Sequence, residues 1–307
     1  MILKRAIFLS SEVIHLSVRE KNSIMVDVGF SAVYERKKRM NSTNTLQRIL
    51  IALLVAAFLF GTVTVLAEDA QPSRASRESR VSSFEKVGSI VTFGRYEQDN
   101  DTKNGPEEIE WIVLDVDDNK ALLLSKYGLD AKQYNKAYEG VTWETCSLRS
   151  WLNDEFLKAA FTEEEQSAIL LTDVDNSKSQ GYDGWAGWPD DVISGNDTQD
   201  KIFLLSVAEA KKYFDISMKN KNNLKARCVP TAYAIANGAS INKEWKTADG
   251  EIAGRWWLRS PGRHQNRAAH VLGSGALNST HVSANNKHYG GGVARPALWI
   301  NLEADIF

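Results

Sequence analysis

The chain has 307 residues, 43% of them apolar and 25% charged, the composition of an ordinary folded protein with one large or two small domains. A formal charge of −2, with lysines and arginines scattered among acids, excludes the basic stripe that attracts a phosphate backbone, so nucleic acid is not expected as a partner. Two cysteines, Cys146 and Cys228, exclude a disulfide framework, although export would allow one bridge.

Residues 1–39 show no sustained helix or strand period and read as a gene-model preface before a start at Met40, or as a disordered cytoplasmic tail. Residues 49–67, "ILIALLVAAFLFGTVTVLA", carry no charge and follow a basic flank that includes Arg48, Lys37, Lys38 and Arg39. Val65-Leu66-Ala67 before Glu68 fits the small-x-small rule, so 40–67 is expected to be a signal peptide cut between Ala67 and Glu68. The alternative is an uncleaved anchor, since this run just spans a hydrocarbon core of about 30 Å. Either way the rest of the chain is expected outside the cytoplasm, secreted or at the cell surface, with membrane a partner only if the segment stays attached. Residues 68–83 are polar and Ser/Arg-rich and read as a linker, and the folded domain is expected over 84–307.

Within that domain "GSIVTFGRY" and "EWIVLDVDDNKALLLSKY" read as strands, the second as a hairpin turning at Asp117-Asp118-Asn119. Leu148, Trp151, Leu152 and Phe156 fall at helical spacing. Thr162 with Glu165 and Ser206 with Glu209 match the capping box, in which two side chains satisfy orphan backbone N–H groups. "KIFLLS" reads as a strand before the second box, and a further helix is expected from Pro230 to Asn237, stopped by Gly238. After Gly254 strands return in "GRWWLRS", "AAHVL", "ALNSTHV" and "VARPALWINL", with a turn at Gly273-Ser274-Gly275. Short helices in the first half and irregular hairpins in the second make an α+β class.

The candidates for chemistry are weak. His264, His270, His281 and His288 lie in one polar stretch, but their spacing neither sets two ligands one helical turn apart nor adds a cysteine, so no metal and no cofactor are expected. Cys146 begins an amphipathic helix, where a thiol can be activated, yet it reads better as a small buried hydrophobe. "DVDNSKSQGYDG" from Asp173 fails as a calcium loop, because Lys178 replaces the turn glycine and Gly184 the last carboxylate. Trp185 and Trp188, in a Gly/Asp-rich loop, could stack on sugar rings or tuck back onto the core.

With "GSIVTFGRY", "EWIVLDV", "TWETCSLRSWLN", "FLLSVAEAKKYF", "WWLRSPG" and "GVARPALWINL" in order, the chain resembles a bacterial domain of unknown function, the one numbered 6273, over about Val87 to Leu302. The resemblance implies a C-type-lectin-like fold, related to formylglycine-generating enzymes and to the variable proteins of diversity-generating retroelements. In such proteins a strand pair near the C-terminus frames a surface of exposed loop residues. Trp256, Trp257, Leu258, Val293, Leu298 and Trp299 would then anchor the frame.

On that reading the ligand contacts are Arg263, His264, Gln265, Asn266, Arg267, His270, Asn278, His281, Asn285, Asn286, His288 and Tyr289, joined by Trp185 and Trp188. They mix aromatic anchors with adaptable donors, as antibody loops do. The expected function is an exported module that binds a protein or glycan, with a surface open to diversification. The alternative is an extracytoplasmic enzyme of the formylglycine-generating type; it lacks that family's C-terminal cysteine pair, since no cysteine follows Cys228.

Overall fold

The computed structural model describes residues 16–19, 23–26, 74–181, 192–279 and 291–307. The chain divides into two compact units, Met1–Pro72 and Ser73–Phe307. In the first, β1 (Leu16–Arg19) pairs antiparallel with β2 (Ser23–Val26), Leu16 opposite Val26. Four-residue strands are too short to display an alternation, which is why no period pointed to them. Among the described residues no helix is long and apolar enough to cross a membrane, and residues 49–67 lie outside them.

The second unit opens with α1 (Arg74–Phe84), where a linker was expected. The helix has no long apolar stripe of its own; it is held from a distance. Arg77 donates to the carbonyls of Glu303 and Ala304, each at 3.4 Å, and Arg80 to that of Ile306 at 3.2 Å. Phe84 meets Phe307 edge-on at 5.0 Å.

Four strands form the first sheet: β3 (Ile90–Tyr96), β4 (Glu107–Asp117), β5 (Lys120–Ser125) and β15 (Ala297–Asn301), antiparallel in the order β15-β5-β4-β3. The expected hairpin is present, with Asp117 opposite Lys120 and Asp118 in the left-handed region at φ 50°. β3 bulges at Gly94, where φ is +70° and a Cβ would stand 2.5 Å from the Phe161 ring, so only glycine fits. Leu122, Leu123 and Leu124 of β5 are all buried, as in a strand covered on both faces.

The second sheet is mixed: β6 (Asp130–Ala131), β11 (Trp256–Pro261), β12 (Ala268–Val271), β13 (Leu277–Asn278) and β14 (Val293–Ala294), in the order β13-β12-β11-β14-β6. Trp256 pairs with Val293 in parallel, and the other ladders are antiparallel. Two-stranded ladders complete the set, β7 (Thr172–Val174) with β8 (Thr198–Asp200) and β9 (Ile241–Lys246) with β10 (Ile252–Gly254).

α2 (Ser147–Trp151), a π-turn at Leu152–Phe156 and α3 (Leu157–Ala160) run as one continuous helical segment. The π-turn adds a residue, so that Leu148, Leu152, Phe156, Leu157 and Ala160 are all buried while Trp151 is half-buried. Both capping boxes form, at α4 (Glu163–Ala168) and α5 (Val207–Phe214). The last helix, α6 (Ala232–Ala236), is capped by Thr231 and followed by Gly238 at φ +96°.

"KIFLLS" is not a strand: residues 202–205 are buried, but only Phe203 bridges, to Ala297. Trp256, Trp257, Leu258, Val293 and Leu298 are core, as the frame requires, whereas Trp299 is half-buried with Lys120 5.1 Å over its ring. Among the described residues the indole N–H of each fully buried tryptophan finds an acceptor: Trp111 on Phe93 O (2.7 Å), Trp143 on Asp200 (2.9 Å), Trp256 on Ala226 O (3.0 Å) and Trp257 on Lys132 O (2.8 Å). Helices and sheets segregated in this way make the domain α+β.

Candidate binding surface

The turn from β11 to β12 is closed by its own backbone. Gly262 N–H donates to Arg267 O (2.6 Å), Arg267 N–H to His264 O (2.8 Å), and Arg263 N–H to Ser279 O (3.0 Å). Gly262 is packed so tightly that a Cβ would lie 2.8 Å from that of Arg267 and 2.9 Å from Ser279 O. This fixed turn leaves Arg263 and His264 exposed at its tip, with Asn266 and Arg267 half-buried.

Gln265 ties three loops together. Its Oε1 accepts from Ile193 N–H (2.8 Å), its Nε2 donates to the carbonyls of Ile193 and Val141 (each 3.1 Å), and its own carbonyl accepts from Val141 N–H (3.0 Å). A Cβ on Gly140 would lie 2.9 Å from Gln265 Cγ, so glycine lets the loop approach this closely. Gln265 is therefore a clamp rather than the free contact that its polar neighbours suggest. On the same loops stand two apolar side chains left in water, Tyr138 at 65% and Ile193 at 61% exposure. Nearby, Glu144 accepts from the side chain and backbone N–H of Asn196, which holds its carboxyl below the usual range.

Beneath the surface several charged groups pair with one another. Asp200, fully buried, accepts from Trp143, from Thr198 Oγ1 at 2.8 Å and from Arg149 Nε at 2.6 Å. Arg259 is 2% exposed and forms a bidentate pair with Glu209, while donating to the carbonyls of Leu204 (2.9 Å) and Asp175 (3.0 Å). Ser260 Oγ accepts from Val207 N–H (3.0 Å) and donates to Gln180 O (2.8 Å). The cleft beside Arg259 and Ser260 measures about 10 Å³, room for one water and not for a ligand.

His270 is not a loop residue. It lies in β12, fully buried, with Nδ1 3.3 Å from Ala268 O and its ring edge-on to Trp257 at 5.8 Å. Four consecutive β12 residues are buried, so the imidazole packs in the core although it was expected among the exposed contacts. Asn278 is half-buried on β13, opposite His270. Trp185, Trp188, His281, Asn285, Asn286, His288 and Tyr289 lie outside the described residues. The described structure thus brings Arg263, His264, Asn266 and Arg267 to one end of the domain, adds Tyr138 and Ile193, and removes His270 and Gln265 from the list of free contacts.

Neither thiol is activated. Both cysteines are free and buried, and burial pushes the Cys146 thiol up to about 12 and raises that of Cys228. Glu97, Asp99 and Glu107 set carboxylate oxygens within 4.8 Å of one another, a cluster that no motif pointed to. Much of it closes its own turn: Glu107 accepts from Gln98 N–H (2.7 Å) and Asp99 N–H (3.3 Å), and Asp99 from Asp101 N–H and Asn104, each at 2.7 Å.

No curated protein and no solved structure matches the chain at a significant level. The model of a family described as a domain of unknown function, DUF6273, matches residues 118–302, which run from the β4–β5 turn to the end of the first sheet and make up more than half of the chain, and the protein belongs to that family.

Proposed function

We propose that the protein is an exported binding module that recognises a protein or glycan through the loops gathered by Gln265. The observation that carries this reading is the arrangement at that clamp: Tyr138, Ile193, Arg263 and His264 are all exposed, while the backbone of Ile193 is held by Gln265, that of Arg263 by Ser279 and that of His264 by Arg267. Apolar side chains held rigidly in water cost little conformational entropy on binding. The parallel pair of Trp256 with Val293, framing loops of polar sequence, is in keeping with a C-type-lectin-like fold. Export rests on the basic flank, the apolar run 49–67 and the Val65-Leu66-Ala67 site.

The test is to probe the labelled full chain against a glycan array and a panel of cell-surface proteins, then repeat with Tyr138→Ala and Arg263→Ala. Loss of the signal by about ten-fold or more, with unchanged melting, supports the reading. Retained binding in both variants overturns it. N-terminal sequencing of the protein from its producing cell tests export, and a mature chain beginning at Glu68 is expected.

A further inference from the structure

Arg255 stands between β10 and β11, at the end of β11 opposite to the Gly262 turn. Its backbone is fixed on both sides: its N–H donates to Ser240 O (3.1 Å) and its carbonyl accepts from Val293 N–H (2.8 Å). The side chain is half-buried, with Nε and Nη1 shielded from solvent, and neither nitrogen has a hydrogen-bond partner among the described residues. Burial alone draws the guanidinium below the ordinary arginine value, with no carboxylate opposing it.

The other shielded arginines each keep at least one partner, although Arg259 Nε and Arg295 Nη1 are themselves unpaired. Arg259 has Glu209 and two carbonyls, and Arg149 has Asp200. Arg295 lies between the rings of Trp256 (4.9 Å) and Phe214 (5.4 Å) and donates to Ser125 O at 2.9 Å. Arg255 has neither acid, carbonyl nor ring among the described residues. Ser240 N–H donates to the Gly291 carbonyl at 3.0 Å, and a Cβ on Gly291 would stand at ordinary contact distance from Lys132 O (3.6 Å) and the Ala131 Cβ (3.8 Å). A cation withdrawn from water with its donors unused is costly unless something completes it.

We propose that Arg255 is an oxyanion-recognition site, at which the guanidinium receives a carboxylate or phosphate group of a ligand. A guanidinium offers paired N–H donors that match two oxygens of either group. This site does not depend on the loops around Gln265.

The experiment is a thermal melt of the full chain in sodium acetate, in sodium phosphate and in sodium chloride at matched ionic strength. A saturable rise of several degrees over chloride is expected with at least one oxyanion, and the one that acts distinguishes a carboxylate ligand from a phosphorylated one. Arg255→Met should abolish that rise while melting at or above the wild-type temperature in chloride, because the unpaired charge is gone. Arg255→Lys keeps the charge but loses the fork, and should need about ten-fold more anion for the same rise. No saturable rise in the wild type overturns the proposal. So does an equal rise in Arg255→Met, or, should that variant fail to fold, an unchanged response in Arg255→Lys.

Discussion

Arg259 and Glu209 meet through two hydrogen bonds, one of 2.9 Å, although the guanidinium is buried and the carboxylate is 29% exposed. Glu209 also accepts from Ser206 N–H at 2.8 Å, so one carboxylate caps α5 and neutralises β11. Glu209→Gln keeps the cap geometry but strands the buried cation. It should cost about 2–3 kcal/mol in a urea melt, somewhat under the cost of breaking a fully buried pair. A loss below about 0.5 kcal/mol would mean that the Leu204 and Asp175 carbonyls suffice for Arg259.

Gln265→Ala removes three side-chain hydrogen bonds that span loops distant in sequence. Because the residue is half-buried, the global cost should be only about 1–2 kcal/mol. The local effect should be larger: amide hydrogen exchange at Val141 and Ile193 should quicken markedly while that of β5 stays unchanged.

Trp257→Ala empties a site that is 1% exposed and orphans the Lys132 carbonyl, for an expected loss of about 3–5 kcal/mol. His264→Ala, on the exposed tip, should change stability by less than about 0.5 kcal/mol. Paired denaturation curves check the contrast, and comparable losses would make the tip part of the core.

The Cys146 thiol is raised by burial from its ordinary 9.0 to about 12, so the folded chain retains a proton that the unfolded chain releases. Its contribution is fully present below pH 9.0 and is lost as the pH rises toward about 12, at about 1.4 kcal/mol per pH unit. Buried Tyr134 is shifted in the same direction, so the comparison must be with Cys146→Ala, whose stability should fall less steeply above pH 9. At neutral pH the wild-type thiol should resist a disulfide reagent until the protein is unfolded.

What was legible in the sequence was local. The two capping boxes and the Asp117-Asp118-Asn119 turn involve partners three residues apart, and they form as read. What was not legible depends on distance. Gln265 looks like one more polar loop residue because its partners lie 72 and 124 residues away. Helix α1 looks like a linker because its arginines bond residues more than 220 positions on. His270 looked exposed because its ring is polar, but the second sheet buries both faces of β12. Tyr138 carried no motif, and only the closeness of Gly140 to Gln265 brings it to the surface that matters.

The contacts of α1 with residues 303–307 also have a mechanical meaning. Tension applied at the N-terminal end of α1 would reach the rest of this unit first through the Arg77 and Arg80 bonds and the Phe84–Phe307 contact. These are few and lie largely at the surface, whereas the Ala297–Asn301 strand behind them is laddered along its length to β5. The helix would peel before that ladder shears, acting as a fuse that lets out slack while the folded sheets, and whatever they hold, remain intact.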